Sequence, residues 1–154
     1  MDRSALNIHM GTSPYYRGSS CNFWALYDGN PEYVGATIHL LTKGLDSGPM
    51  LCHALPTNDD AGALDGFALG MRAVRVALDT MTWLVQDDRW QSLVPVEQDR
   101  TLELRYTKNQ DFTDEVAADY LGRAPAPDVI RDTLDRRDRT RFIIPDAGKH
   151  PCLS

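Results

Sequence analysis

The order of apolar periodicities along the chain predicts an α/β fold, a short mixed sheet packed by one long helix. Three observations carry this. Short strand-like runs stand at 5–9, 34–42 and 50–56, one long helical stripe follows them, and shorter helical segments are interleaved. The 154 residues, 42% hydrophobic and 25% charged, suit a soluble globular protein with enough chain for a core.

Residues 5–9 read as a short buried strand, and 10–20 as a loop with two glycines, a proline and two tyrosines. In "SCNFWALY", 20–27, Phe23, Trp24, Leu26 and Tyr27 crowd as on a helix. Ser19 or Ser20 can cap that helix and "DGN", 28–30, stops it. "VGATIHLLT", 34–42, alternates as a strand does, "KGLDSGP", 43–49, is a turn-rich loop, and "MLCHALP", 50–56, is a further strand.

Leu64, Phe67, Met71, Val74, Leu78, Met81 and Val85 step by 3, 4, 3, 4, 3 and 4, one apolar stripe on a helix. Thr57, Asn58 and Asp59 offer its N-cap, and the stripe is expected to cover a sheet face. Beyond Asp88, "TLELRYT", 101–107, reads as an edge strand, 112–123 as a helix led by Thr113 and ended by Gly122, and 124–127 as a linker. Residues 131–141 hold five Arg and three Asp, a solvated helix face. The division expected is 1–90 for the part that carries the chemistry and 91–154 for a C-terminal extension.

The net charge of −6 argues against a general nucleic-acid surface. Cys21, Cys52 and Cys152 show no CxxC spacing, and with HxH and HxxxH also missing, no metal is expected. Sparse cysteines, no run near the ~20 apolar residues of a membrane span, and no signal-peptide core at 1–11 give a cytoplasmic expectation.

Asn7 and His9 stand two apart at a strand end and so share a face. Alone, Asn7 reads as a turn former, His9 as a core or rim histidine, and Asp46 as a turn carboxylate. Taken together, "NIH" (7–9), "PYYRG" (14–18), "GATIH" (35–39) and "GLDSGPML" (44–51) resemble the formyltransferase family. That family includes methionyl-tRNA, glycinamide ribonucleotide and sugar-nucleotide formyltransferases and the formyltetrahydrofolate hydrolases.

The resemblance implies a partial Rossmann-like formyltransferase fold and catalytic roles for Asn7, His9 and Asp46. It implies formyl-tetrahydrofolate as donor, with His39, Gly44, Leu45 and Gly48 on the cofactor side. Arg17 and Gly18 fall on the acceptor side. The implied reaction moves a formyl group to the amine of a small acceptor, sugar nucleotide-like by the "NFW" at 22–24. Hydrolysis of the donor is the alternative. Chemically the trio suits this: an amide and an imidazole can donate to a carbonyl oxygen gaining charge, and a carboxylate can relay protons.

Two departures stand out. "HMGTSP", 9–14, is polar where many members have "HPSLLP". Members also carry an α/β half before the Asn-x-His strand, whereas six residues precede Asn7 here. The expectation is an incomplete sheet, with strand 5–9 at an edge, and either self-association, a partner supplying the N-terminal half, or an inactive fragment.

Overall fold

Alternating side chains at the start of the chain form β1, Leu6–His9. The computed structural model describes residues 5–58 and 64–145. β2 (Tyr16–Gly18), α1 (Cys21–Tyr27), β3 (Ala36–Leu40) and β4 (Met50–Ala54) follow. Then come α2 (Gly66–Val85), β5 (Arg105–Thr107), α3 (Asp114–Arg123) and α4 (Pro127–Asp135). Strands and helices interleave as the α/β reading predicts.

β1, β3 and β4 form an antiparallel sheet in the order β1-β3-β4, while β2 and β5 pair parallel in a separate two-stranded sheet. The mixture of strand directions is thus divided between two sheets. β1 is an outer strand, and among the described residues nothing pairs with its free side. The far side of β4 is treated differently: Met50 and Val96 exchange backbone hydrogen bonds of 2.7 and 2.8 Å, and His53 N–H donates to the Ile143 carbonyl.

Several local expectations change. The loop 10–20 contains β2, whose three residues are too few to show a period. β5 fills only the second half of 101–107, because 100–102 is a 3-10 turn whose Thr101 N–H is capped by Asp99. Ser20 stands at the N-cap of α1 in a left-handed conformation and makes no side-chain cap bond. Thr113 does cap α3, but that helix runs one residue past Gly122 to Arg123, and a further helix, α4, begins at Pro127.

The largest change concerns α2. Its N-cap is Asp65, whose carboxylate accepts from Ala68 N–H; Thr57 and Asn58 precede the helix, and Asp59 lies outside the described residues. Leu64 is buried just before it. The face turned to the protein is Gly66, Leu69, Ala73, Ala77, Thr80 and Leu84. Most of the expected stripe faces outward: Phe67 is 79% exposed and Leu78 57%, and Met71, Val74 and Val85 are exposed as well. Packing size explains the difference. Ala77 meets Ala36 of β3 and Ala54 of β4, so small residues let the helix lie close on the sheet. The 3-4 spacing selects the bulkier of two apolar faces.

The main core gathers Tyr15, Tyr16, Trp24 and Tyr33 with Leu69, Ile130, Leu134 and Phe142, so the far C-terminal residues pack with the first ones. Cys21 and Cys52 are buried free thiols, and Cys152 lies outside the described residues. Within 131–141 the reading as a wholly solvated face fails at Arg137. Its guanidinium is buried, donates to the Glu32 and Pro56 carbonyls at 3.0 and 2.8 Å, and is pushed down to about 10 by that burial. Among the described residues no helix is long and apolar enough to cross a membrane.

Candidate active site

The register of the antiparallel sheet assembles the site. Asn7 of β1 pairs directly with His39 of β3, and His9 pairs with Thr37 two positions on. Cross-strand partners share a face, and Asn7 Nδ2 lies 3.1 Å from His39 Nε2. A register irregularity between Ile38 and His39 bends β3 at this point. The loop leaving β3 then brings Asp46 back over the pair.

Asp46 is the hub. Its Oδ1 accepts from Asn7 Nδ2 at 2.9 Å and lies 3.5 Å from His39 Nε2, and its Oδ2 lies 3.3 Å from His9 Nδ1. The Asn7 amide orientation follows, since the reverse would set its oxygen against a carboxylate. The His39 tautomer follows as well. Nδ1 lies 2.9 Å from the Leu40 carbonyl and donates to it, which leaves Nε2 to accept from Asn7. Both N–H groups of Asn7 are therefore committed, to Asp46 and His39.

His9 is buried, with Nε2 turned inward, 3.4 Å from the Tyr16 carbonyl and 3.5 Å from Cys21 Sγ. Burial lowers its pKa, opposed by the Asp46 carboxylate. The ring is thus neutral at pH 7. Cys21 is pushed up to about 12, chiefly by burial, so its thiol keeps its proton.

Asp46 is the member of the trio that lines a cleft. Its side chain is 27% exposed and lines a cleft of about 520 Å³ with Ser13, Arg17, Gly18, Gly44, Leu45, Ser47, Arg100, Glu103 and Tyr106. Arg17, Gly18, Gly44 and Leu45 thus meet at one cleft, while His39 and Gly48 stand behind Asp46. Arg17 is held by Glu103 at 2.9 Å, with its guanidinium 5.9 Å from the Tyr106 ring centre.

The turn of this loop is not made by its glycines. The left-handed residue is Asp46 itself, at φ 47°, a conformation Asp tolerates better than most residues. Gly44 has no positive φ and meets only the Ser47 side chain. Gly48 allows a close approach, because a Cβ there would collide with the Leu40 carbonyl. Ser13, Arg100, Glu103 and Tyr106 were not legible as cleft residues, nor was Gln98, which bonds the loop backbone. The alternation at 101–107 hinted at a strand but not at what it faces. Among the described residues no group of three His, Cys, Asp or Glu side chains could hold a metal ion.

The formyl transferase family model matches residues 1–63, which span β1 to β4 and so every member of the Asn7–His9–His39–Asp46 cluster. Residues 1–63 belong to the formyl transferase family. A methionyl-tRNA formyltransferase of Synechococcus sp. (strain JA-3-3Ab) is 31% identical over 111 residues, 70% of this chain and 33% of that protein.

Two solved formyltransferases share the fold. The formyltransferase PseJ of Anoxybacillus kamchatkensis, solved with UDP-4,6-dideoxy-4-formamido-L-AltNAc and tetrahydrofolate, superposes with a TM-score of 0.59 at 19% identity over 87% of this chain and 66% of that one. The N-formyltransferase of Helicobacter canadensis, solved with folinic acid and dTDP-3-aminofucose, gives 0.54 at 16% identity over 70% of this chain and 39% of that one. The chain spans between about a fifth and a third of the length of the curated relatives it matches.

Proposed function

We propose that this chain transfers a formyl group from formyl-tetrahydrofolate to the amine of a small, sugar nucleotide-like acceptor in the cleft beside Asp46. The observation that carries the reading is the position of Asp46, which binds Asn7, contacts His9 and alone of the three lines the cleft. The cleft falls within the roughly 300–1,000 Å³ usual for small-molecule sites. Solved neighbours that hold a folate with a sugar nucleotide support both ligand classes.

In the proposed reaction the acceptor amine forms a bond to the formyl carbon, and the carbonyl electron pair moves to oxygen. Collapse of that adduct breaks the bond to the folate nitrogen. The amine gives up a proton and the folate nitrogen takes one, with Asp46 as the relay. The oxyanion is stabilised by an Asn7 N–H released from its present bond, and His9 Nδ1, 3.3 Å from Asp46 Oδ2, supports the relay carboxylate. Gly44 and Leu45 flank the donor, His39 steadies Asn7 and Asp46 from behind, and Gly48 lets the loop close on Leu40. Arg17 and Gly18 face the acceptor. Calorimetric titration with 5-formyl-tetrahydrofolate tests the site: saturable binding that Asp46→Ala weakens at least tenfold is expected. A chain that binds no folate would overturn the proposal.

The exposed stripe of α2 and the free side of β1 favour a chain that works with a partner, either a second copy or a chain supplying an N-terminal α/β half. Alone, it is expected to self-associate. Sedimentation velocity at rising concentration then shows an increasing sedimentation coefficient, and Met71→Lys with Leu78→Glu returns it towards the monomer value. A monomer that stays monodisperse and melts cooperatively at all concentrations would contradict this.

A further inference from the structure

We infer that Gln98 is a positioning residue for Asp46, and that the segment around it, beyond the matched residues 1–63, completes the site by holding the Asp46 loop in its working shape. Resting on the formyl-transfer reading only for what Asp46 then does, the inference stands on hydrogen bonds of its own. Gln98 Nε2 donates to the Asp46 carbonyl at 2.8 Å and to the Gly48 carbonyl at 3.0 Å. One primary amide thus spends both hydrogens on two carbonyls two residues apart and bridges the turn between them. Reversing the amide would set its oxygen against both carbonyls. The orientation found is kept although it leaves Oε1 buried without a partner.

The loop has need of such a clamp. Leu41 to Leu45 are exposed, so packing does little to fix the approach to Asp46. Asp46 is left-handed, a conformation that must be held by its surroundings. Gln98 is itself anchored. The Met50–Val96 backbone pair fixes the chain two residues before it, and Leu104 and Arg105 N–H both donate to the Tyr15 carbonyl beyond it. Arg100, Glu103 and Tyr106 on the same stretch line the cleft. The segment therefore supplies one wall of the cleft and the clamp on its carboxylate.

The test reads the histidines. Gln98→Leu keeps bulk but removes both donors, Gln98→Asn draws the amide back by one methylene, and Asp99→Ala is a neighbouring control that loses only the turn cap at Thr101. His9 faces Asp46, His39, Cys21 and the Tyr16 carbonyl, and of these Asp46 is the group that raises its pKa most. Histidine side-chain ¹⁵N NMR should show His9 titrating at lower pH in Gln98→Leu, with Gln98→Asn between it and wild type and Asp99→Ala unchanged. Catalytic turnover should fall on the order of 10²-fold, with KM moving less, as expected for a misplaced group. Should Gln98→Leu not fold, Gln98→Asn carries the same comparison. Wild-type His9 titration in the folded variants would overturn the inference. A shifted titration with no formyl transfer in any form would uphold Gln98 and reject the formyl-transfer reading instead.

Discussion

Asp46→Asn is expected to lower formyl transfer by about 10²–10³-fold with little change in folding stability. The carboxylate accepts from Asn7 and contacts His9 and His39 at once. An asparagine that keeps its oxygen on Asn7 turns an N–H₂ towards His9 Nδ1 in place of the second carboxylate oxygen. Two effects then coincide: the proton relay is lost, and Asn7 loses the carboxylate that fixes the orientation of its amide. Because the side chain is partly exposed at the cleft, the fold has little to lose. Steady-state rates with donor and amine, beside thermal melts of both forms, check this. A variant that keeps a third or more of the wild-type rate would remove Asp46 from the chemistry.

Acid weakens the fold through a different histidine. His53 on β4 is 4% exposed, and its Nε2 lies 2.7 Å from the Ser13 carbonyl while Nδ1 accepts from Ile143 N–H at 2.9 Å. Its ring also meets Phe142 edge-on at 5.5 Å. One neutral tautomer satisfies both contacts, and a second ring proton would face the Ile143 N–H. Burial pushes its pKa down from 6.5 to about 4. Between those values the unfolded chain binds a proton that the folded chain does not. Stability therefore falls as pH drops through that window, by about 1.4 kcal/mol per pH unit and about 3 kcal/mol in all. The lowered pKa of His9 acts in the same direction. Urea unfolding at pH 7.5 and pH 4.5 should show this loss in wild type and much less of it in His53→Gln. Equal pH dependence in the two would assign the acid sensitivity elsewhere.

Local rules account for what could be read in advance. Asn7 and His9 share a face because strand side chains alternate, and the register then sets His39 beside Asn7. Asp46 is recognisable through its motif, while its left-handed backbone is not, because nothing in "GLDSGP" says which residue takes the turn. The α2 stripe is legible as a helix and misleading as a core, since spacing records apolar residues and not which face can approach Ala36 and Ala54 of the sheet. Gln98 and the cleft residues after it act across about fifty or more positions, and such contacts leave no period in the sequence.

The fate of the formyl carbon reports the transfer itself. With ¹³C-formyl-tetrahydrofolate and an amino-sugar nucleotide, ¹³C NMR should show the label leaving the donor and appearing as an acceptor formamide, at a rate that Asp46→Asn sharply reduces. Label recovered as formate whether or not an amine is present, or a donor signal decaying no faster than without protein, would contradict it.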